Sequence, residues 1–322
     1  MNFSSKNNKV DNILLIDGIT RTGKFFLAKI VSEFKEIEYF QYLQAIEQVP
    51  YIYGLGGINK DAAIALLKST VDYGVYNQIL GRNLNHRVLD RSSIFNSITP
   101  EIYLKRQFKN FETNEVIQLM RAADKTFPFV THNALANVDL FLDAYPNLKM
   151  IHIIRDPVEL VYSWYKKNYG NLNSKDSLSI DPYIEKNGSA VPWYHAGWDN
   201  NEMGEVDCII KSIKTLLDLN AEKVSTLSSL DKSRIFIIKY EDLVINPSLE
   251  VKRLGDFLGL PIGTEIKKIL LKESLPNKSL MNNHNENSNF IYDLASNSFA
   301  KMLNNMESNY NNNTSYCNLD IV

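Results

Sequence analysis

The chain has 322 residues, of which 44% are hydrophobic and 22% charged, enough for one sizeable globular domain with a substantial core. Its formal net charge of -2 argues against bulk binding to nucleic acid or to an anionic membrane, because a nearly neutral surface attracts neither. The two cysteines, Cys208 and Cys317, predict neither a disulfide framework nor a zinc site, and a reducing cytoplasm is the simplest setting. A polar N-terminus and the lack of long apolar runs predict a chain without a signal peptide or membrane span.

Apolar and β-branched runs alternate with helical patterns along most of the chain. Strands are predicted at residues 13–17, 87–90, 129–132, 150–155 and 234–240. Helices are predicted at residues 62–80, 114–125, 158–167, 206–227 and 249–258. This alternation predicts an α/β fold in which a parallel β-sheet is flanked by helices on both faces.

Composition divides the chain into three parts. Residues 1–11 are predicted to be a flexible N-terminus and residues 12–275 an α/β domain. Residues 276–322 form an Asn-rich segment that is predicted to be partly docked, with a disordered end. Residues 40–59 and 170–199, which are rich in glycine or in polar and aromatic residues, are predicted to be long loops or lids.

The first strand runs into a loop bounded by Gly18 and Gly23, and a helical pattern follows. The first N–H groups of such a helix lack partners and its dipole is positive there, so a phosphate or sulfate fits the loop. The spacing satisfies the Walker A pattern as far as Lys24, but Phe25 stands where a hydroxyl should hold Mg²⁺. The sequence therefore predicts a nucleotide-like phosphate ester as ligand, although Phe25 disfavours an ordinary ATPase or GTPase.

A second strand ends at Arg155, and the next helix follows at once. Asp156 can cap this helix, Pro157 suits its first turn, and Ser163 lies two turns further along. Singly, such an arginine is more often an ion-pair partner and such a serine merely solvated. Together, and beside a phosphate loop, Arg155 and Ser163 predict a shared anion site.

Three stretches, in this order, resemble the sulfotransferase family that uses 3′-phosphoadenosine 5′-phosphosulfate (PAPS) as donor. They are residues 20–26, which resemble its 5′-phosphosulfate loop, residues 155–165, which resemble its 3′-phosphate motif, and residues 238–260, which resemble a later strand-helix block. The resemblance implies a P-loop fold with a sulfotransferase-like three-layer sandwich. It also implies PAPS as cofactor, 3′,5′-adenosine diphosphate as product, and no required metal.

The cofactor-binding residues implied by the resemblance come from both motifs: Gly18, Thr20, Arg21, Thr22, Gly23, Lys24, Phe25, Phe26, Arg155 and Ser163. Arg21 occupies the position of the family's usual catalytic lysine, so Arg21 and Lys24 are expected to divide binding and leaving-group stabilisation. Phe26 falls where cytosolic members place a ring against adenine, whereas Phe25 is more simply a core residue of the first helix. The family's C-terminal Arg-Lys-Gly segment is not recognisable after Pro261, so other groups must complete the 3′-phosphate site.

The stretch from Phe129 to His132 is similar to the Thr-His segment that supplies the catalytic histidine in cytosolic members. An imidazole at a strand end can accept the proton of an acceptor hydroxyl, so His132 is the predicted general base. The plain alternative is a histidine that only packs at a strand end. His86 is the main rival as base.

Weaker signals concern the acceptor. His86 and Arg87 are candidate substrate-binding residues, as are Trp193 and His195 in an aromatic stretch that suits a sugar or phenol ring. Packing of these aromatics into the core is equally open. A group of arginines could face an anionic acceptor or the cofactor rim, or could form a solvated basic face: Arg82, Arg87 and Arg91.

The sequence thus predicts a cytoplasmic, metal-independent sulfotransferase that acts on a hydroxyl, with a carbohydrate favoured over a small phenol or alcohol. One alternative is a P-loop kinase that uses ATP and Mg²⁺, with Lys24 on the phosphates and Asp90 holding the metal. The other is a non-catalytic nucleotide-binding protein that keeps the fold. The sequence does not indicate an oligomeric state.

Overall fold

Six strands are found in the part of the chain that the computed structural model describes, which is residues 3, 9–122, 124–169, 182–198, 203–277, 279 and 282–312. They are β1 (Ile13–Asp17), β2 (Phe127–Val130), β3 (Lys149–Ile154), β4 (Tyr183–Lys186), β5 (Ser189–Pro192) and β6 (Ile235–Lys239). Four of them pair in parallel in the order β2-β1-β3-β6, and β4 pairs with β5 as an antiparallel hairpin. Four of the five predicted strands are confirmed to within two residues at each end.

Helices connect these strands and continue to the end of the described chain. They are α1 (Lys24–Val31), α2 (Gln44–Gly54), α3 (Lys60–Ile79), α4 (Pro100–Arg106), α5 (Thr113–Met120), α6 (Val138–Ala144), α7 (Pro157–Tyr165), α8 (Glu205–Thr226), α9 (Ser229–Lys232), α10 (Tyr240–Ile245), α11 (Pro247–Leu258), α12 (Ile266–Lys272), α13 (His284–Leu294) and α14 (Asn297–Asn311). The five predicted helices are confirmed, and the largest displacement is at the end of α5. Among the described residues, no helix combines the length and apolarity needed to cross a bilayer.

The sheet is the middle layer of three, as the side chains of β1 show. Ile13 and Leu15 join an apolar cluster that includes residues of α3 and α6, whereas Leu14 and Ile16 join the cluster of α1 and α11 on the opposite face. Successive side chains of a strand point to opposite faces, so a continuous apolar run is buried on both sides. The predicted α/β fold with helices on both faces is confirmed.

Two local predictions are wrong. The strand predicted at residues 87–90 is a turn, in which the Asp90 N–H donates to the Arg87 carbonyl and the Ser93 N–H to the Asp90 carbonyl. The segment predicted as a lid at residues 40–59 contains α2, because Ile46 and Val49 lie on one helical face and pack into the core.

The Asn-rich C-terminal segment contains α13 and α14, which pack against α7 and α8. The Asn287 side chain donates to Glu159 of α7 at 3.0 Å, and the Lys239 ammonium donates to the carbonyl of Tyr310 at 2.9 Å. These contacts join the segment to α7, which follows β3, and to the end of β6. Several predictions fall outside the described residues. They concern residues 313–322 of the last dozen, which are predicted to be disordered, the second cysteine, Cys317, most of the flexible N-terminus, and residues 170–181 and 199 of the second predicted lid.

Candidate active site

The predicted phosphate-binding residues and the predicted base lie where the parallel strands end. Gly18 follows β1, His132 lies two residues beyond β2, and Arg155 follows β3. Tyr240, which the sequence analysis did not single out, follows β6. The carboxyl ends of parallel strands meet at one edge of a sheet, which is where ligands bind in open α/β folds. A cleft of about 870 Å³ opens at this edge, lined by Thr20, Arg21, Gly23, Lys24, Phe25, Phe26, Lys29, Leu89, Asp90, Arg91, Ser92, His132, Arg155, Tyr169, Tyr240, Glu273 and Asn277.

A buried carboxylate beneath the cleft fixes the strand ends relative to each other. Asp17, the last residue of β1, accepts hydrogen bonds from the Thr131 hydroxyl at 2.9 Å and from the backbone N–H groups of Ala134 and Leu135. His152 of β3 lies 2.8 Å away through Nδ1. Burial alone raises the pKa of Asp17, but the hydrogen bond and charge of His152 outweigh it, so this pKa lies below its ordinary value.

The loop after β1 depends on glycine at both of its ends. A Cβ atom on Gly18 would lie 2.4 Å from the carbonyl oxygen of Ile153 in the neighbouring strand. Gly23 has a φ of 100°, and a Cβ there would lie 2.7 Å from the ring of Tyr240. Larger residues would displace the loop from the sheet, so the glycine spacing is a packing requirement as well as a motif.

Three hydrogen bonds tie the loop to Arg155 and to the last turn of α7. The Arg21 Nε donates to the Ser163 hydroxyl at 3.0 Å, and the Arg155 guanidinium donates to the Arg21 carbonyl at 3.2 Å. The indole of Trp164 donates to the carbonyl of Thr20 at 2.8 Å. The structure therefore brings Arg21, Arg155 and Ser163 together, as the two motifs predict.

Positive charge accumulates at this point of the cleft. Burial lowers the pKa of the Arg21 guanidinium, and the nearby charges of Arg91 and Arg155 lower it further, with Tyr169 opposing them. Arg155 lies 5.0 Å above the ring of Tyr240 and 3.5 Å from the Glu159 carboxylate. Its Nε is buried without a hydrogen-bond partner among the described residues. An anion that accepts from this guanidinium would satisfy a donor that is costly to leave unpaired.

Lys24 and Thr22 point back into the loop. The Lys24 ammonium and the Thr22 hydroxyl both donate to the carbonyl of Ile19, at 2.9 and 2.8 Å. Both side chains are buried, although Lys24 also lines the cleft. Thr22 therefore shapes the loop, while Lys24 adds a positive charge beneath it.

His132 forms a dyad with a carboxylate that the sequence did not indicate. Glu47 of α2 accepts from the backbone N–H of His132 at 2.8 Å, and its Oε2 lies 2.9 Å from the ring Nδ1. Because an ionised carboxylate only accepts, Nδ1 carries a proton in this pair and Nε2 is left to act as an acceptor. The Tyr42 hydroxyl donates to the other oxygen of Glu47 at 2.8 Å, so Glu47 holds the imidazole from a fixed position.

Phe25, Phe26 and Tyr240 line the cleft, and each of these rings packs against another aromatic ring. The Phe25 ring lies edge-on to Tyr42 at 5.8 Å and is 6.3 Å from the ring of His132. Phe26 lies edge-on to Tyr240 at 6.0 Å. The two neighbouring phenylalanines of α1 therefore border different ends of the cleft, one beside His132 and the other beside Arg155.

Two predicted acceptor residues, His86 and Arg87, are not among the residues that line the cleft. The exposed His86 ring lies 2.6 Å from the side-chain amide of Gln107. Arg87 pairs with Asp90 at 2.8 Å, and 73% of its side chain is exposed. The kinase alternative requires Asp90 to hold a metal from the end of the strand predicted at residues 87–90. Asp90 lies within a turn instead, so the structure does not support this part of the alternative.

Trp193 and His195 are also absent from the cleft lining, because they pack in the interior. Trp193 stacks on Tyr51 at 4.5 Å, and His195 stacks on Trp198 at 3.6 Å while its Nε2 lies 2.9 Å from the Ser212 hydroxyl. Burial, followed by the charges of nearby lysines, lowers the pKa of His195 to about 4. These aromatics therefore build the core of this region and do not form a ligand-stacking surface.

The family model described as a sulfotransferase domain matches residues 11–302. The chain belongs to the sulfotransferase domain family. Carbohydrate sulfotransferase 2 of Mus musculus is 25% identical over 146 residues, which cover 41% of this chain and 26% of that protein. This sulfotransferase-family chain therefore matches about a quarter of the length of that curated relative.

Two solved structures are similar to this sulfotransferase-family chain. The sulfotransferase domain from the curacin biosynthetic pathway has 14% identity and a TM-score of 0.45, with 80% of this chain and 77% of that chain covered. The sulfotransferase domain from the Synechococcus PCC 7002 olefin synthase has 14% identity and a TM-score of 0.43, with 95% and 98% covered.

Proposed function

We propose that this protein transfers the sulfuryl group of PAPS to a hydroxyl of an acceptor. The observation that carries the proposal is the convergence of Arg21, Arg155 and Ser163 at the end of β3, with a buried guanidinium nitrogen of Arg155 left without a partner. Guanidinium groups with a hydroxyl between them suit a phosphate, since they offer charge-assisted hydrogen bonds in a fixed geometry.

A nucleotide with phosphates on both the 3′ and 5′ positions matches the two anion-binding features of the cleft. The N-terminus of α1, with the loop before it, would hold the 5′-phosphosulfate through backbone N–H groups and the helix dipole. Arg155 and Ser163 would hold the 3′-phosphate. The rings of Phe26 and Tyr240, which border the same end of the cleft, would contact the adenine.

Bound in this way, PAPS would supply an activated sulfuryl group for in-line transfer. His132 would accept the proton of the acceptor hydroxyl at Nε2, while Glu47 holds the imidazole through Nδ1 and stabilises its charged form. Arg21 and Lys24 would offset the negative charge that develops at the leaving phosphate. Lys24 is the better proton donor of the two, because a guanidinium does not release its proton.

A carbohydrate hydroxyl is the acceptor class that we propose. The support is the local similarity to carbohydrate sulfotransferase 2, which is confined to 146 residues. The ring of Phe25, which lines the cleft beside His132, adds a flat apolar face of the kind that packs against a pyranose ring.

The experiment is a calorimetric titration with 3′,5′-adenosine diphosphate in the absence of metal, compared with ADP plus Mg²⁺. We expect wild-type protein to prefer the 3′,5′ compound, and Arg155→Ala to weaken its binding roughly 10- to 150-fold through the loss of charge-assisted hydrogen bonds. Arg121→Ala removes an exposed arginine that is not in the cleft lining and serves as the matched control.

The alternatives give different results in the same experiment. A preference for Mg-ADP would overturn the proposal and favour the kinase. Tight binding of the 3′,5′ compound without any transfer from PAPS to a panel of hydroxyl acceptors, carbohydrates included, would favour a non-catalytic nucleotide-binding protein.

A further inference from the structure

The turn at residues 85–96 is held in one shape by its own side chains. The Arg87 guanidinium and the Asn85 amide donate to the two oxygens of Asp90, at 2.8 and 3.2 Å. The Asn96 amide donates to the carbonyls of both Asp90 and Arg91, at 2.9 and 3.2 Å. Asp90 is therefore used inside the turn, and the turn presents Arg91 from a fixed backbone.

Arg91 is the arginine of this turn that reaches the cleft. Its side chain is exposed and lines the cleft together with Arg21 and Arg155. Within the described ranges, its guanidinium has no hydrogen bond or ion pair. Three guanidinium groups that share one cleft repel each other, and a multiply charged anion between them would relieve this repulsion.

The surroundings of Arg91 indicate which end of the cleft it serves. The positive charge of Arg91 acts to lower the pKa of the Arg21 guanidinium and of the Tyr240 hydroxyl, so Arg91 lies near both groups. The Arg21 carbonyl accepts a hydrogen bond from Arg155, and the Arg155 guanidinium lies over the ring of Tyr240, so both neighbours belong to the end of the cleft that Arg155 lines.

We propose that Arg91 contacts the 3′-phosphate of the nucleotide together with Arg155, and so contributes to the preference for a 3′-phosphorylated nucleotide. This inference rests on the proposed function, since it names a further residue of the same site. The exposed turn thereby supplies a cation that lies outside both the loop at residues 20–26 and the motif at residues 155–165.

The test is the ratio of the affinities for 3′,5′-adenosine diphosphate and 5′-AMP, which differ only in the 3′-phosphate. We expect Arg91→Ala to weaken binding of the 3′,5′ compound roughly 10- to 100-fold, because a charge-assisted hydrogen bond to phosphate is lost. The affinity for 5′-AMP should stay within about twofold of wild type, since its phosphate lies at the loop. Arg91→Lys keeps the charge without the planar fork and should give an intermediate ratio, whereas Arg121→Ala should leave the ratio unchanged.

Each other outcome has a distinct meaning. An unchanged ratio in Arg91→Ala, with wild type still preferring the 3′,5′ compound, would overturn the role of Arg91 and leave the proposed function intact. An equal loss for both nucleotides would also overturn it, because Arg91 would then act on the loop or the 5′-phosphate. No preference for the 3′,5′ compound in wild type itself would overturn the proposed function.

Discussion

The two sides of the cleft are built in different ways. The loop side consists of two continuous stretches, residues 18–26 and residues 155–164, which are joined by three hydrogen bonds. The histidine side joins His132 to Glu47, which lie 85 residues apart and belong to a strand end and a separate helix. A motif of neighbouring residues identifies the first kind of site, whereas the second exists only after folding.

The largest effect that would test this division is expected for His132→Ala. Removal of a general base should lower the turnover number roughly 10²- to 10⁴-fold. The affinity for 3′,5′-adenosine diphosphate should stay within about twofold, because the loop side does not use His132 for binding. Transfer assays with PAPS and calorimetry on the same protein give both quantities. Turnover within about tenfold of wild type would show that another group takes the proton.

A smaller effect of the same kind is expected for Glu47→Gln. The amide keeps the size of the side chain and can accept from Tyr42, but it removes the negative charge that holds the protonated imidazole. We expect turnover to fall about 10- to 100-fold with unchanged nucleotide affinity, which would identify Glu47 as a positioning residue.

The pair of measurements separates this role from a merely structural one. A destabilised protein would lose nucleotide affinity and turnover together, and thermal unfolding of Glu47→Gln would show it directly. Equal losses are expected in His132→Ala and in the double variant that also carries Glu47→Gln, because Glu47 affects turnover through the imidazole.

The loop side could be predicted from the sequence because its determinants are local. Only glycine fits at positions 18 and 23, because a Cβ would collide with Ile153 or with Tyr240. The glycine spacing in the sequence therefore follows directly from how closely the loop approaches its neighbours. Asp156 accepts from the N–H groups of Val158 and Glu159, which starts α7 immediately after Arg155. The strand and helix predictions in this part are accurate for the same reason.

The histidine side could not be predicted in the same way. The segment of Glu47 contains Pro50 and several glycines, which favoured a loop, but burial of Ile46 and Val49 outweighs the local preference and forms α2. The alternation at residues 87–90 resembles a strand, but side-chain hydrogen bonds to Asp90 close a turn instead. Of the three arginines that the sequence offers for the cofactor rim or a solvated face, only Arg91 lines the cleft.

A third test concerns the aromatic stretch that packs inside the molecule and contributes to neither side. Burial lowers the pKa of His195 to about 4, below its ordinary value of 6.5, with Lys211 and Lys186 acting in the same direction. Between these two values the unfolded chain binds a proton that the folded protein does not, so stability falls as the pH falls. We expect His195 to cost about 2 kcal/mol of unfolding free energy between pH 7 and pH 5.

Urea unfolding of wild type and His195→Gln at both pH values measures this contribution, because other titrating groups are common to the two proteins. The variant should lose less stability than wild type on acidification. It should also keep wild-type affinity for 3′,5′-adenosine diphosphate, since His195 lies outside the cleft. A parallel pH dependence in the two proteins would contradict the structural role of this histidine.

The smallest effect is expected for His86→Ala, the rival base. His86 is exposed, contacts Gln107 and does not line the cleft, so turnover should stay within about twofold of wild type. The free energy of unfolding should change by less than about 0.5 kcal/mol, as for most surface substitutions. Side-by-side transfer assays of His86→Ala and His132→Ala make the comparison direct. A loss of turnover in His86→Ala as large as that in His132→Ala would mean that the turn at residues 85–96 moves inward during the reaction. The histidine side of the cleft would then include His86, which lies outside the cleft in the structure.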